Sequence, residues 1–194
     1  MAKEQDKLIR IFKEVKSGMS ARLVLLGDGP LKSELLQLAR ALNLKVCDWE
    51  VQHKFQEADV YFMGFQANVF QYYRNSQLFA LTSSWEGFPN ALAEAMICRI
   101  PVMSTDCYTG PREILNLPDL PEKPVEAPIR TKVGSLMPML SNPSQKTIEQ
   151  WAQEMIFWLK NPSVDEQETE KRIRRFALPQ ILNQWRTIIE TQNK

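Results

Sequence analysis

The sequence predicts an α/β fold built on a doubly wound parallel sheet, and the prediction rests on alternation, a glycine turn and length. Short β-rich runs alternate with segments of helical period over most of the chain, which is the pattern of βα units. Gly27-Asp28-Gly29-Pro30 stands as a turn between one such run and one such helix. A length of 194 residues suits one domain with a full core and is too short for two large lobes and a linker.

Leu8, Ile9, Ile11, Phe12 and Val15 recur on one face, so residues 6–16 read as a helix with no strand before it. Residues 22–26 form a β-rich run, and after the glycine turn Leu31, Leu35, Leu38 and Leu42 repeat at helical intervals up to Asn43. Residues 45–49 and 60–63 read as strands around a polar segment that contains His53, and 68–74 as a short helix. A strand at 78–82, a turn at 83–88, a helix at 89–98, a strand at 101–104 and a helix at 111–115 complete the βα series. Its parallel strands need helices on both faces. Pro118, Pro121, Pro124 and Pro128 exclude regular structure from 117–130 and predict an extended, mobile loop. An apolar run at 133–137 follows, and helical segments at 148–159, 165–174 and 179–191 close the chain, with Trp151, Trp158 and Trp185 expected as core anchors.

Lys plus Arg number 24 and Asp plus Glu 23, so no overall basic field attracts nucleic acid and any phosphate site has to be local. Cys47, Cys98 and Cys107 are odd in number and none pairs at a metal-ligand spacing. That argues against a disulfide framework and a zinc site and for a reducing compartment. Residues 1–6 are polar, unlike a signal peptide, and no long uncharged apolar run follows, so a soluble, cytoplasmic chain is expected.

The chemistry lies in Glu86-Gly87-Phe88-Pro89-Asn90-Ala91-Leu92-Ala93-Glu94. Glu86 falls in the turn after a buried strand, and Glu94 about a turn into the next helix. Unbonded N–H groups and the positive dipole end at such a helix start favour a phosphate. Gly87 allows close backbone approach, and loops at the carboxyl ends of strands are where open α/β sheets bind ligands. A diphosphate between two hydroxyl-binding carboxylates fits this segment. In so charged a chain, a solvated loop glutamate and a surface helix charge also produce the spacing.

Further motifs stand in order around that segment. They are Leu23 to Leu31 with its glycine turn, Met63-Gly64-Phe65-Gln66-Ala67-Asn68, Ser104-Thr105-Asp106-Cys107, Gly110-Pro111-Arg112-Glu113-Ile114-Leu115, and Arg175-Phe176 leading to Trp185. Together they resemble the carboxyl-terminal, donor-binding domain of retaining GT-B glycosyltransferases of the family 4 or group 1 type, which holds many bacterial polysaccharide and lipopolysaccharide transferases. The resemblance covers almost the whole chain and implies a Rossmann-like half-domain with extra C-terminal helices over 1–194, its helical closing segment at 144–194. Glu94 would bind the ribose hydroxyls of a nucleotide-sugar and Glu86, as the catalytic-site carboxylate, the donor sugar. The backbone of Gly87, Phe88, Pro89, Asn90 and Ala91 would hold the diphosphate, with Gly27 and Gly29 in the first glycine loop and the base near Gly64, Phe65 and Gln66. No cofactor and no metal are implied, because a helix start can neutralise the leaving diphosphate and a carboxylate can accept from a ribose diol. The implied partner is an N-terminal acceptor lobe, on the same parent chain or another polypeptide, without which this chain is expected to be inactive.

The sequence departs from that family in three places. The family's Arg and Lys pair on the diphosphate lies near a first strand; Lys3 matches the Lys, while the Arg and that strand have no counterpart, so weak donor affinity is expected. Arg99 stands where a helix-ending glycine precedes Pro101, which predicts a left-handed arginine at a cost of about 1 kcal/mol. The 45–59 connection is long and polar, and His53 in it has no counterpart.

Other readings are weaker. Gly27-x-Gly29 lacks the third glycine of a dinucleotide fingerprint, and neither Cys98 nor Cys107 has a histidine nearby in sequence to activate it. The basic run 171–175 reads as a solvated helix face and hints at an acidic partner or peripheral contact at the inner membrane face. The alternative to an enzyme lobe is a nucleotide-binding or interaction module without transfer. Ile181, Leu182, Trp185 and Ile188 separate a self-contained lobe, in which they pack inward, from one with an absent partner, in which they face solvent.

Overall fold

The computed structural model describes residues 3–54 and 56–192. Helix α1 (Gln5–Gly18) leads the fold and buries the predicted stripe of Leu8, Ile9, Ile11, Phe12 and Val15. The βα series follows as β1 (Leu23–Leu25), α2 (Lys32–Ala41), β2 (Val46–Asp48), a single turn α3 (Trp49–Gln52), β3 (Val60–Phe62), α4 (Phe70–Arg74), β4 (Phe79–Leu81), α5 (Asn90–Ile97), β5 (Val102–Thr105) and α6 (Pro111–Ile114). The chain then forms β6 (Ile129–Arg130), β7 (Gly134–Met137), α7 (Gln145–Lys160), α8 (Glu166–Arg174) and α9 (Leu178–Gln192).

The strands lie in a three-stranded sheet of order β1-β3-β2 and a four-stranded sheet of order β4-β5-β7-β6. Every pairing is parallel except β6 with β7. No ladder joins β1 to β4 among the described residues, but one core runs beneath both. Leu23, Leu25, Leu78, Ala80 and Met103 all pack with the buried faces of α1 and α7. On the opposite face Phe79, Leu81, Val102 and Leu136 pack with Leu92 and Met96 of α5, Ile114 of α6 and Ile173 of α8. Neighbouring strand residues thus enter opposite cores, as the period of two requires, and the expected double winding is observed.

Several local expectations are met or changed. Trp151 and Trp158 are core anchors whose indole N–H groups donate to Pro138 O at 3.0 Å and Ser135 Oγ at 2.8 Å. Trp185 is not: it is 60% exposed. It belongs to an α9 stripe with Leu178, Leu182 and Ile189, also exposed, which a helical repeat of apolar residues brings to one face without supplying anything to cover it. Ile181 is half-buried, and the Ile188 side chain lies outside the described residues. The strand expected at 45–49 is shorter, because Trp49 begins α3 and His53 ends it, exposed, at φ 45°. Arg99 adopts the expected left-handed conformation at φ 59° and pairs with Glu166 at 2.9 Å.

The proline-rich segment is irregular up to β6, yet it is strapped down rather than free. Arg112 spans to the carbonyls of Pro121 at 2.5 Å and Lys123 at 2.9 Å, and the Val125 N–H donates to Asp106 Oδ2 at 2.8 Å. Among the described residues no helix is long and apolar enough to cross a membrane.

Candidate functional site

The loops after β1 and β3 leave the carboxyl end of one parallel sheet, and those after β4 and β5 the carboxyl end of the parallel strands of the other. Two of them are tied directly, since the Gly27 N–H donates to Gly64 O at 2.8 Å. Gly64 has φ 66°, and a Cβ there would stand 2.5 Å from Glu50 Oε1, so no other residue fits without movement. Glu50 and Asp48 both hold Lys32, the latter at 2.9 Å. Burial works against the Lys32 charge, but the two carboxylates outweigh it and raise its pKa. Phe65 is 76% exposed, while Gln66 is held by a 2.7 Å bond from Nε2 to Met63 O.

Glu86 is not a solvated loop residue. Its side chain is only 12% exposed, and Oε1 accepts from Lys3 Nζ at 2.5 Å and Ser83 Oγ at 2.6 Å. Thr82 in turn donates to the Lys3 carbonyl at 2.8 Å, which fixes the start of the described chain beside the end of β4. Thr105 Oγ1 holds the Ser83 carbonyl at 2.5 Å from the neighbouring strand. The carboxylate is thereby oriented by a cation and a hydroxyl that both hang from buried strand ends.

Helix α5 begins after buried Pro89 and has no side-chain cap. The Asn90 N–H turns back to Phe88 O at 2.9 Å and the Leu92 N–H to Pro89 O at 2.9 Å. Fewer donors are thus open than a bare helix start offers; the Ala91 N–H has no partner among the described residues. Glu94, half-buried, lies one turn on, and its charge acts on the Tyr73 phenol of α4. Burial of Tyr73 and then the Glu94 charge push the phenol up to about 12, so the tyrosine stays neutral. Glu94, Asn90 and Phe88 also line a hollow of about 410 Å³ between α5 and α8, whose walls include Met96, Ile97, Arg172, Ile173 and Phe176. Glu86 does not open into it. The structure therefore gathers the predicted residues into three groups: the Gly27–Gly64 loops, Glu86 with Lys3, and the α5 start with Glu94.

Gly29 and Gly87 differ from Gly64. Neither has a left-handed φ, and a Cβ at either would meet nothing within 4 Å, so the fold itself does not require glycine there. Among the described residues no group of three or more His, Cys, Asp or Glu side chains could hold a metal ion.

With this geometry in place, known proteins supply the family. The model of the family described as "Glycosyl transferases group 1" matches residues 1–119. The chain belongs to that family. An uncharacterized glycosyltransferase of Methanocaldococcus jannaschii is 33% identical over 97% of this chain, which spans 47% of that protein. The Campylobacter jejuni N-acetylgalactosamine-N,N'-diacetylbacillosaminyl-diphospho-undecaprenol 4-alpha-N-acetylgalactosaminyltransferase is 37% identical over 58% of this chain and 27% of its own length. The chain thus spans about half the length of the first of these relatives and less of the second. The pneumococcal O-GlcNAc transferase GtfA, solved with UDP and GlcNAc, superposes with a TM-score of 0.70 at 18% identity, over 97% of this chain and 33% of that one, and shows the same fold.

In this group 1 domain the positions that sequence reasoning passed over are those that hold the named ones. Tyr73 read as aromatic content of a short helix, and only the fold brings it to Glu94. Thr109 Oγ1 donates to the Glu86 carbonyl, and Gly110, at φ 91°, leaves a Cβ position only 2.2 Å from Pro89 Cδ. The loop after β5 is thus pressed against the Glu86 loop. Asp106 anchors it, accepting from Arg112 Nε and Nη2 at 2.6 Å each; its side chain is fully buried. Cys107 is a buried thiol whose pKa is raised by burial and then by Glu86, which makes it inert rather than nucleophilic. Asp106 and Arg112 stand in two of the ordered motifs, but only the fold pairs them.

Proposed function

We propose that this chain is the donor-binding lobe of a retaining glycosyltransferase that moves a sugar from a nucleotide-sugar to a hydroxyl of a polysaccharide, lipopolysaccharide or related acceptor. The observation that carries the reading is Glu86, a nearly buried carboxylate held by Lys3 and Ser83 at the mouth of β4, beside an uncapped helix. Gly29 and Gly87 support it: glycines that neither φ nor packing requires leave room for a ligand against the backbone. Glu94, beside the neutral Tyr73 phenol, accepts from the ribose diol. Gly87 to Ala91 face the diphosphate, Lys3 adds a positive charge there, and the base lies by Gly64, Phe65 and Gln66. In the transfer, the bond from the sugar's anomeric carbon to the diphosphate oxygen breaks and a bond to the acceptor oxygen forms. The departing phosphate takes the acceptor proton, so no side chain serves as nucleophile. Glu86 positions the donor sugar, and catalysis is chiefly electrostatic. Neither metal nor cofactor has a role in this scheme.

The acceptor lobe would come from an adjoining chain segment or a partner chain, and the chain alone would be inactive. The uncovered stripe of Leu178, Leu182, Trp185 and Ile189 supports this, as do the separate edges of β1 and β4, where Val24 is 41% exposed and a first strand would fit. Lys171, Arg174 and Arg175 beside α9 suit peripheral contact at the inner face of a membrane, with the chain itself cytoplasmic. The test is calorimetric titration with UDP, GDP and UDP-hexoses. Glu94→Ala is expected to lose about 1–3 kcal/mol in nucleotide affinity as charged hydrogen bonds disappear. Binding by no nucleotide, or equal binding by Glu94→Ala and wild type, removes the reading in favour of an interaction module without transfer.

A further inference from the structure

Exposed aromatic rings are not spread over this molecule. Of those among the described residues, Phe65, Phe70, Trp85, Phe88 and Tyr108 follow the carboxyl ends of β3, β4 and β5, and Trp185 lies on α9. Phe70 has Tyr73 edge-on, and Phe88 has Phe176 with ring centres 5.1 Å apart. Trp85 and Tyr108 have no ring neighbour among the described residues, although they are 67% and 88% exposed.

These two rings leave from loops that are stitched to each other. Thr109 Oγ1 donates to the carbonyl of Glu86, the residue after Trp85, and Gly110 packs on Pro89. On one side of Tyr108, Cys107 is buried and Asp106 is locked by Arg112. The backbone beneath both rings is therefore fixed, and a ligand placed on them has little loop ordering to offset. Each ring combines a broad apolar face with one polar tip and carries no charge. A ligand that matches has a flat C–H face rimmed by hydroxyls, as a pyranose has; a phosphate or a cation does not match. Glu86 turns inward to Lys3 and Ser83, whereas Trp85 is exposed to solvent, so a sugar on the rings lies on the solvent side of the carboxylate that the donor-lobe reading gives to the donor sugar.

We infer that Trp85 and Tyr108 form a stacking platform for a pyranose ring of the acceptor saccharide. The inference rests on the donor-lobe reading above. It is tested on the whole chain, saturated with UDP, by saturation-transfer NMR with methyl α-glucopyranoside, methyl α-galactopyranoside and methyl N-acetyl-α-glucosaminide. Transfer is expected to the C–H protons of one ring face of at least one glycoside. It falls about fivefold or more in Trp85→Ala and Tyr108→Ala and largely persists in Tyr108→Phe, while UDP affinity stays within about twofold. No transfer from any glycoside, or equal transfer in the variants, overturns the platform. Loss of UDP-hexose affinity relative to UDP in Trp85→Ala, with no glycoside signal in wild type, assigns the ring to the donor sugar and overturns the acceptor assignment. A change in self-association with unchanged glycoside transfer makes the surface a protein contact and also overturns it. Failure of UDP and GDP alike to bind defeats the donor-lobe reading, whereas intact nucleotide binding without glycoside transfer defeats this inference alone.

Discussion

The sheet that carries Glu86 and the sheet that carries the glycine loops are built to different standards. In the four-stranded sheet β5 and β7 are buried along their whole length, and residues of β4, β5 and β7 feed cores on both faces. In the three-stranded sheet only β3 is buried along its whole length, β1 is an edge with Val24 exposed, and every strand has three residues, as has β4, the edge strand before Glu86. The difference teaches that the sugar and diphosphate end of the proposed site, although it leaves the edge strand β4, is backed by the buried β5 and the loop after it. The base end depends on a shorter sheet and on the Gly27–Gly64 link. Binding energy at the two ends should respond differently to the same kind of damage.

The largest contrast is in the cores. Leu136→Ala, at a fully buried position of β7, should cost about 2–5 kcal/mol in denaturant unfolding, whereas Val24→Ala in β1 should stay within about 0.5 kcal/mol. Similar losses at both sites would erase the distinction between the sheets. Next, Asp106→Ala leaves Arg112 without its partner and frees the proline-rich strap, with a loss of about 3 kcal/mol and faster amide exchange across residues 120–125. Tyr73→Phe takes a polar hydroxyl away from the surroundings of Glu94 and should weaken nucleotide binding by no more than about 1 kcal/mol without unfolding the helix, as calorimetry would show.

A smaller effect appears on acidification. Burial opposes the charge on Glu154, but Arg130 at 2.9 and 2.7 Å and Ser135 at 2.5 Å outweigh it and hold its pKa below the usual carboxylate value. For Asp59, burial is likewise outweighed, by Lys16 and the Lys45 N–H. Because both folded values are depressed, their stabilisation is complete above the unfolded values of about 4.3 and 3.9 and is lost as pH falls through the folded values. Melting curves between neutral pH and strong acid should therefore drop in that window, and Glu154→Gln should flatten the drop while lowering stability at neutral pH. A Glu154→Gln curve parallel to wild type at every pH would show that the pair contributes nothing to the pH dependence.

Much of the fold was legible because period and punctuation agreed. The Leu31, Leu35, Leu38, Leu42 repeat after a glycine turn, and the buried run before Ser83, each have one simple solution. The α1 stripe was legible for the same reason and became the cover of both sheets. Trp185 failed because amphipathicity states that a face is apolar and not what covers it. The strap over 120–125 failed because prolines report local backbone only, while Arg112 acts across the loop. At the site, Glu86 and Glu94 were visible as a spaced pair next to a glycine and a helix start. Their supports, Lys3 at 83 residues' distance and Tyr73 on another helix, meet them only through the strand order.

The central claim, that the loops at the carboxyl ends of β1, β3 and β4 hold a nucleotide-sugar, is tested most directly by amide chemical-shift mapping of the chain during titration with UDP-hexose. The account predicts that the shifted amides cluster at Gly27–Gly29, Gly64–Gln66 and Gly87–Glu94, and that Glu94→Ala removes them at the same ligand concentration. Shifts confined to the α8–α9 surface, or none at saturating ligand, would contradict it.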